Sequence, residues 1–263
     1  MKIKNFNINR LKKVKPGNLR ITVIDNRFYN DAPYLNSKVN LPNWFRRIHK
    51  GNNSVRSCSG ISDFLEFGIT ITAWTTFRFR PNISAGTWEV SADVMNPGID
   101  FPMASGFSFL QTGSCPMTES RKIENMSYPK LITPWRIQTA PGWSSLMLPI
   151  FYDQSDDYSV LPAIINTDYY QVANIVLNVK TDSEFVIKQG TPLVHMIPVQ
   201  RKTKVNNIEY IDESFFKYAS TNMYMTGGTT PINGGTGIAY RKAAKIVDSA
   251  IDDKKKWFKF GRK

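Results

Sequence analysis

Residues 161–199 limit the fold most strongly, because their apolar positions follow the period of strands and not of helices. Residues 161–165 form a short apolar run, and the polar and aromatic residues 166–170 separate it from the next segment. Residues 172–179 then alternate in the manner of a half-buried strand. We predict two strands that meet as an antiparallel pair at a polar tip.

The pattern repeats further along the chain. Residues 184–187 are short and β-prone, residues 189–192 have the composition of a turn, and residues 193–199 form a second apolar strand. We predict another antiparallel pair here.

The amino-terminal half also favours β structure. Strands are predicted over residues 19–23 and 69–80, and a turn at Pro81 and Asn82 leads through Gly86 to a hairpin partner over residues 87–94. Residues 62–67 are predicted as a short apolar turn of helix. At 263 residues and 41% hydrophobic composition, the chain is long and apolar enough for one good core.

Three segments resemble motifs of the trimeric dUTPase and dCTP-deaminase-like family. They read WRIQTAPGWSSLMLP at residues 135–149, AIINTDYYQ at residues 163–171 and KQGTPLVHM at residues 188–196. They follow the family's order and cover roughly residues 131–199. The resemblance implies a mainly β fold, a dUTPase-like jelly-roll or distorted barrel, and a homotrimer whose subunits share their sites.

The chain departs from the family where the chemistry takes place. The family's aspartate, which activates the attacking water, is replaced by Asn166, and an amide cannot accept that proton. The family's Arg and Ser, which hold phosphate, are replaced by Ile150, Phe151 and Tyr152. We therefore assign no catalytic residue and expect the chain not to be an enzyme.

A vestigial nucleotide pocket is the remaining site hypothesis. It consists of Ile164, Ile165, Asn166, Asp168 and Tyr169. Tyr169 matches the family's tyrosine that stacks on deoxyribose, although packing at a hairpin tip is an alternative role. Asp168 is a candidate for a displaced carboxylate.

Other catalytic patterns have little support. Asp93 is a faint match to the family's metal-linked aspartate, and we assign neither a metal site nor a cofactor. His49 and His195 are far apart in sequence, so they suggest neither a zinc site nor a catalytic triad. Cys58 and Cys115 are too few for a disulfide framework and fit a reducing compartment.

Charge is concentrated at the two ends of the chain. The net charge is +13. Residues 1–57 hold 13 lysines and arginines against two aspartates, a net charge of +11, and residues 239–263 hold nine against three, a net charge of +6. The segment between them therefore carries −4. Basic ends are either solvated tails or anchors for nucleic acid or an acidic protein surface.

These features predict four regions. Residues 1–42 form a basic arm, 43–225 a dUTPase-like β domain, 226–238 a Gly/Thr-rich linker and 239–263 a basic amphipathic helix and tail. The candidate docking residues for a partner protein or DNA are the cations and aromatics Lys12, Lys13, Lys15, Arg20, Lys254, Lys255, Lys256, Trp257, Phe258 and Lys259.

The order of features over about three quarters of the chain also resembles proteins of T4-like and related tailed phages. The residues that carry this resemblance include NWF at 43–45, VRSCSGISDFL at 55–65 and LPIFY at 148–152. This resemblance implies a phage origin, but it does not indicate any particular reaction. We expect no transmembrane helix, because no stretch approaches 18 apolar residues, and the first residues lack the apolar region of a signal peptide.

The function predicted from the sequence is a non-catalytic phage structural or assembly protein, located in the virion or in the host cytoplasm during infection. Its predicted partners are its own copies and other virion proteins, with DNA as a further candidate. The alternatives are a divergent dUTP- or dCTP-type enzyme and a nucleotide sensor.

Overall fold

A computed structural model describes residues 14–23, 28, 30–37, 41–49, 54–93, 104–105, 126–152, 154–203, 208 and 210. The chain divides into two compact units, one formed by residues 1–35 and 68–204 and the other by residues 36–67 and 205–263. The predicted linker and terminal helix, residues 226–238 and 239–263, lie outside the described residues. The four predicted regions stay predictions.

The first unit is built from β-strands. They are β1 (Arg20–Val23), β2 (Tyr34–Leu35), β3 (Ile69–Thr72), β4 (Phe77–Asn82), β5 (Thr87–Ala92), β6 (Ala104–Ser105), β7 (Lys130–Gln138), β8 (Trp143–Pro149), β9 (Tyr158–Val160), β10 (Ala163–Ile165), β11 (Val172–Val179), β12 (Phe185–Ile187) and β13 (Pro192–Gln200). The expectation of a mainly β fold is confirmed.

The described strands form three sheets, and every pair in them is antiparallel. Sheet I has the order β1-β7-β11-β9, with β6 also paired to β7. Sheet II has the order β10-β8-β13-β3-β2, and sheet III has the order β12-β4-β5. Strands that follow one another in the chain often lie in different sheets, as β7 and β8 do.

The core of this unit is rich in aromatic residues. Trp74 and Trp135 are almost fully buried and meet edge to face, with ring centroids 5.4 Å apart. Phe79 of sheet III stacks on Phe185 with centroids 4.5 Å apart. Such rings bury large apolar areas and fix the packing geometry, and all four belong to one buried cluster.

The predicted strands are largely confirmed, but two predicted pairings are wrong. Strand β10 pairs with β8 and not with β11, which pairs with β7 and β9. Strand β12 pairs with β4 and not with β13, which pairs with β3 and β8. The turns after β10 and β12 lead from one sheet to another, so short loops do not make hairpins here.

The predicted strand over residues 69–80 is interrupted in the structure. Strand β3 ends at Thr72, and β4 begins at Phe77 in a different sheet. The link includes three buried residues, of which Ala73 and Trp74 are apolar, so its pattern resembles that of a continuous strand. The hairpin of β4 and β5 is confirmed, but its predicted turn is wrong: Pro81 and Asn82 belong to β4 and pair with β5, and the turn lies at residues 83–86.

The described part of the second unit is helical. It contains α1 (Asn43–Arg47), a short 3₁₀ turn (Val55–Ser57) and α2 (Ser59–Glu66). Arg56 donates to the carbonyls of Arg46 and Ile48, both at 3.0 Å, and so ties the 3₁₀ turn to α1. Within the described residues, no helix has both the length and the hydropathy needed to cross a membrane.

Candidate functional site

The predicted pocket residues lie where two chain crossings between sheets I and II run side by side. One crossing joins β7 to β8 and the other joins β10 to β11. The Thr139 amide donates to the Thr167 carbonyl at 3.3 Å, and the Ile137 amide donates to the Gln171 carbonyl at 2.9 Å. The two crossings, residues 139–142 and 166–171, thus form one turn region, which we call the tip.

Buried hydroxyl groups hold the tip together. Thr167 is completely buried, and its Oγ1 lies 2.9 Å from Oγ1 of Thr139 and 2.8 Å from Oγ of Ser145. Thr139 Oγ1 also donates to the Trp143 carbonyl at 3.0 Å. A satisfied buried network of this kind makes a turn rigid.

Both the oxygen and the nitrogen of the Asn166 side-chain amide form hydrogen bonds. Its Oδ1 accepts from Ser144 Oγ at 2.7 Å, and its Nδ2 donates to the Tyr169 hydroxyl at 2.7 Å. The residue therefore links β8 to the exposed tyrosine. It acts as a bridge and offers no basic atom to a water molecule.

Asp168 is held by Arg201, which directly follows β13. The guanidinium makes two bonds to the carboxylate, Nη1 to Oδ1 at 2.7 Å and Nη2 to Oδ2 at 2.5 Å. The Gly142 amide donates a further bond to Oδ2 at 3.0 Å. The Asp168 side chain is only 11% exposed, while that of Arg201 is 35% exposed. This is the bidentate geometry that arginine favours with carboxylates.

The ion pair keeps Asp168 charged. The hydrogen bond from Arg201 is the main reason why the pKa of Asp168 lies below its ordinary value, and it outweighs the opposing effect of burial. A general base works best with a pKa near the operating pH. A carboxylate with a lowered pKa and both oxygens bonded is poorly suited to that task.

Tyr169 is the most accessible of the predicted pocket residues. It is 72% exposed, and the Arg201 guanidinium carbon lies 5.9 Å from its ring centroid. Ile164 is 67% exposed on β10, whereas Ile165 is partly buried against the core. The structure thus gathers all five predicted residues at the tip or on the strand that enters it.

The three residues after β8 form an apolar segment. Ile150 is half-buried, and Phe151 and Tyr152 are 40% and 53% exposed. None of these side chains carries a positive charge that could bind phosphate.

The other candidate catalytic residues do not belong to the two crossings. Asp93 follows β5 and pairs with Arg78 at 3.1 Å. His195 is buried within β13, Cys58 is exposed before α2, and Cys115 lies outside the described residues. Among the residues that the structure describes, no group of three or more His, Cys, Asp or Glu side chains could hold a metal ion.

Few of the predicted docking residues lie in the described part of the chain. Lys15 is exposed, and Arg20 lies on β1, where it donates to Gln138 at 3.0 Å. The others, Lys12, Lys13, Lys254, Lys255, Lys256, Trp257, Phe258 and Lys259, lie outside the described residues.

Sequence reasoning missed the two polar residues that organise the tip, Ser144 and Arg201. Ser144 belongs to a segment that resembles a family motif, but its bond to Asn166 spans 22 residues. Arg201 lies 33 residues from Asp168 and just after the last such segment. Neither residue carried a local signal for its partner.

Comparison with solved structures finds 17 similar chains, and two of them are dUTPases. The native EIAV dUTPase is 16% identical, with a TM-score of 0.26 over 33% of this chain and 71% of that chain. A mutant dUTPase from phage phi11 of S. aureus is 10% identical, with a TM-score of 0.35 over 74% of this chain and 97% of that chain. At these TM-scores, neither likeness supports a statement on activity or assembly. No protein-family model and no curated protein matches the chain.

Proposed function

We propose that the chain is a non-catalytic structural or assembly protein of a phage particle. It uses a dUTPase-like fold as a scaffold and docks through its basic termini to virion proteins or DNA. Its location is the virion, or the host cytoplasm during infection. We propose that the protein is non-catalytic because the tip offers no usable general base.

The geometry of the tip supports the non-catalytic part directly. Asn166 stands where the resembled family has its water-activating aspartate, and both ends of its amide are bonded. Asp168 is the nearby carboxylate, and Arg201 binds both of its oxygens. General-base catalysis contributes roughly 10² to 10⁴ in rate, so its loss alone slows hydrolysis by about that factor.

The docking part rests on the charge distribution in the sequence. The two ends carry +11 and +6, while the segment between them carries −4. Basic segments bind polyanions or acidic protein surfaces without needing a fold of their own. A homotrimer belongs to the proposal because the resembled family is trimeric.

A nucleotide sensor is the second candidate. Tyr169 is 72% exposed, and its hydroxyl accepts a hydrogen bond from Asn166 while Arg201 lies against its ring. An oriented, accessible ring can stack on a sugar or a base. Binding of a nucleotide without its turnover would favour this candidate, and turnover would favour a divergent enzyme.

The experiment that tests the proposal is mass spectrometry of purified, nuclease-treated particles from the phage that encodes the chain. We expect the chain at a stoichiometric ratio to the major capsid protein. Absence from the particles would contradict the virion role and return attention to the nucleotide candidates.

Deletion of residues 239–263 tests docking in the same preparation. These 25 residues carry +6, and we expect their loss to abolish association with particles. The matched variant Lys254→Gln/Lys255→Gln/Lys256→Gln keeps the length and removes three charges, so it should also reduce association. A truncated protein that copurifies at the wild-type level would count against the docking role.

A further inference from the structure

Two arginines lie together on the outer face of sheet I. Arg20 of β1 is opposite Gln138 of β7, and Arg136 is two residues away along β7, on the same face. The intervening Ile137 is completely buried, so Arg136 and Gln138 point away from the core. Diagonal neighbours in such a ladder lie about 7–8 Å apart. The two guanidinium groups therefore belong to one patch.

The patch continues into the tip through two exposed tyrosines. Arg136 is opposite Val172 on β11, and Tyr170 precedes Val172 by two residues. Tyr170 is 50% exposed and Tyr169 is 72% exposed. Arg201 lies over the Tyr169 ring, and Lys202, the next residue, is exposed. We call this surface the basic-aromatic track and define it by Arg20, Arg136, Tyr169, Tyr170, Arg201 and Lys202.

Two of the four cations in the track, Arg136 and Lys202, carry positive charge that the track's own residues do not balance. Asp168 neutralises Arg201. Within the part of the chain that the structure describes, Arg136 and Lys202 form no ion pair with a carboxylate. Phosphate groups complement such a surface, because Lys and Arg bind them with no need for sequence reading.

The arginines of sheet III provide a useful contrast. Arg78 pairs with Asp93 at 3.1 Å, and Arg80 pairs with Glu184 at 2.6 Å. These two cations line a groove of about 520 Å³ whose walls include Glu89 and Glu184. The positive charge there is balanced locally, unlike that of Arg136 and Lys202.

We propose that the basic-aromatic track binds single-stranded nucleic acid. Arg20, Arg136 and Lys202 contact phosphates, and Tyr169 and Tyr170 stack on unpaired bases, whose faces a duplex does not expose. Lys12, Lys13 and Lys15 lie within eight residues before Arg20 in the sequence. The inference rests on the proposed docking function and names a partner for it.

Fluorescence anisotropy of the full chain with a labelled oligothymidine of about 16 nucleotides tests the proposal. We expect Arg20→Gln/Arg136→Gln to weaken binding by at least about tenfold and to lower the slope of log K against log salt by roughly 2. The matched control Arg78→Gln/Arg80→Gln removes the same charge from sheet III and should leave binding within about twofold.

A second pair of variants tests the stacking. Tyr170→Ala should weaken binding by roughly tenfold, since one stacked base contributes on that order. The control Tyr34→Ala removes an exposed tyrosine from sheet II and should have no effect. Circular dichroism of each variant confirms that it is folded.

Three results would overturn the proposal. They are equal losses for the two arginine pairs, equal losses for the two tyrosines, and equal affinity for a duplex of the same length. If the oligonucleotide results fail while the chain is stoichiometric in particles, the inference is wrong and the proposed function stands.

Discussion

Replacing Gly68 with alanine is expected to lower the free energy of unfolding by about 2–4 kcal/mol. Gly68 has φ +78° and directly precedes β3. A Cβ at this position would overlap the Met196 carbonyl oxygen on β13, and it would lie 3.2 Å from the Met196 carbonyl carbon. The substitution therefore combines a left-handed backbone cost with a clash between two paired strands.

Gly190→Ala is the matched control for this prediction. Gly190 has φ +82°, and a Cβ there meets nothing within 4 Å. We expect a loss of about 1 kcal/mol from the backbone conformation alone. Denaturant unfolding of both variants measures the difference, and equal losses would show that the close approach of Gly68 to β13 is not as described.

Replacing Asp168 with asparagine is expected to lower the free energy of unfolding by about 2 kcal/mol at neutral pH. The change removes a charge that accepts two bonds from Arg201 and one from the Gly142 amide. Because Asp168 is mostly buried, solvent does not replace these bonds fully.

The loss of unfolding free energy in Asp168→Asn should depend on pH. Arg201 lowers the pKa of Asp168, so the folded state favours the charged carboxylate. Its contribution to stability is fully present above the ordinary pKa of 3.8 and is lost as the pH falls from there through the lowered pKa. The difference in unfolding free energy between wild type and Asp168→Asn should therefore shrink in acid.

Asp93→Asn is the control for this ion pair. Asp93 and Arg78 are both more than half exposed, and surface pairs of this kind contribute about 0–1 kcal/mol. A loss as large as that of Asp168→Asn, or a difference between wild type and Asp168→Asn that does not depend on pH, would contradict the role given to the Arg201 pair.

Local pattern predicted individual strands well and their pairing poorly. Strand β11 was predicted with its observed bounds, because its apolar alternation is set by neighbours in the sequence. The partners of β10 and β12 lie in distant segments of the chain. Pairing across such separations depends on which sheets pack together, and no local pattern reports that.

The candidate site was predicted in part for a similar reason. The motif order drew attention to Asn166 and Tyr169, and the structure brings them into direct contact. The neutralisation of Asp168 was not foreseen, because it depends on Arg201 at the end of another strand. A carboxylate considered as a displaced catalytic group is therefore bound in an ion pair.

The most direct test of the central claim is an assay of pyrophosphate release from dUTP and dCTP by the full chain. We expect no release above the buffer blank for the wild-type protein. We expect none for Asn166→Asp either, since the phosphate-binding Arg and Ser of the resembled family are also replaced. Release by the wild-type protein that disappears in a folded Asp168→Asn variant would contradict the account and identify a divergent enzyme.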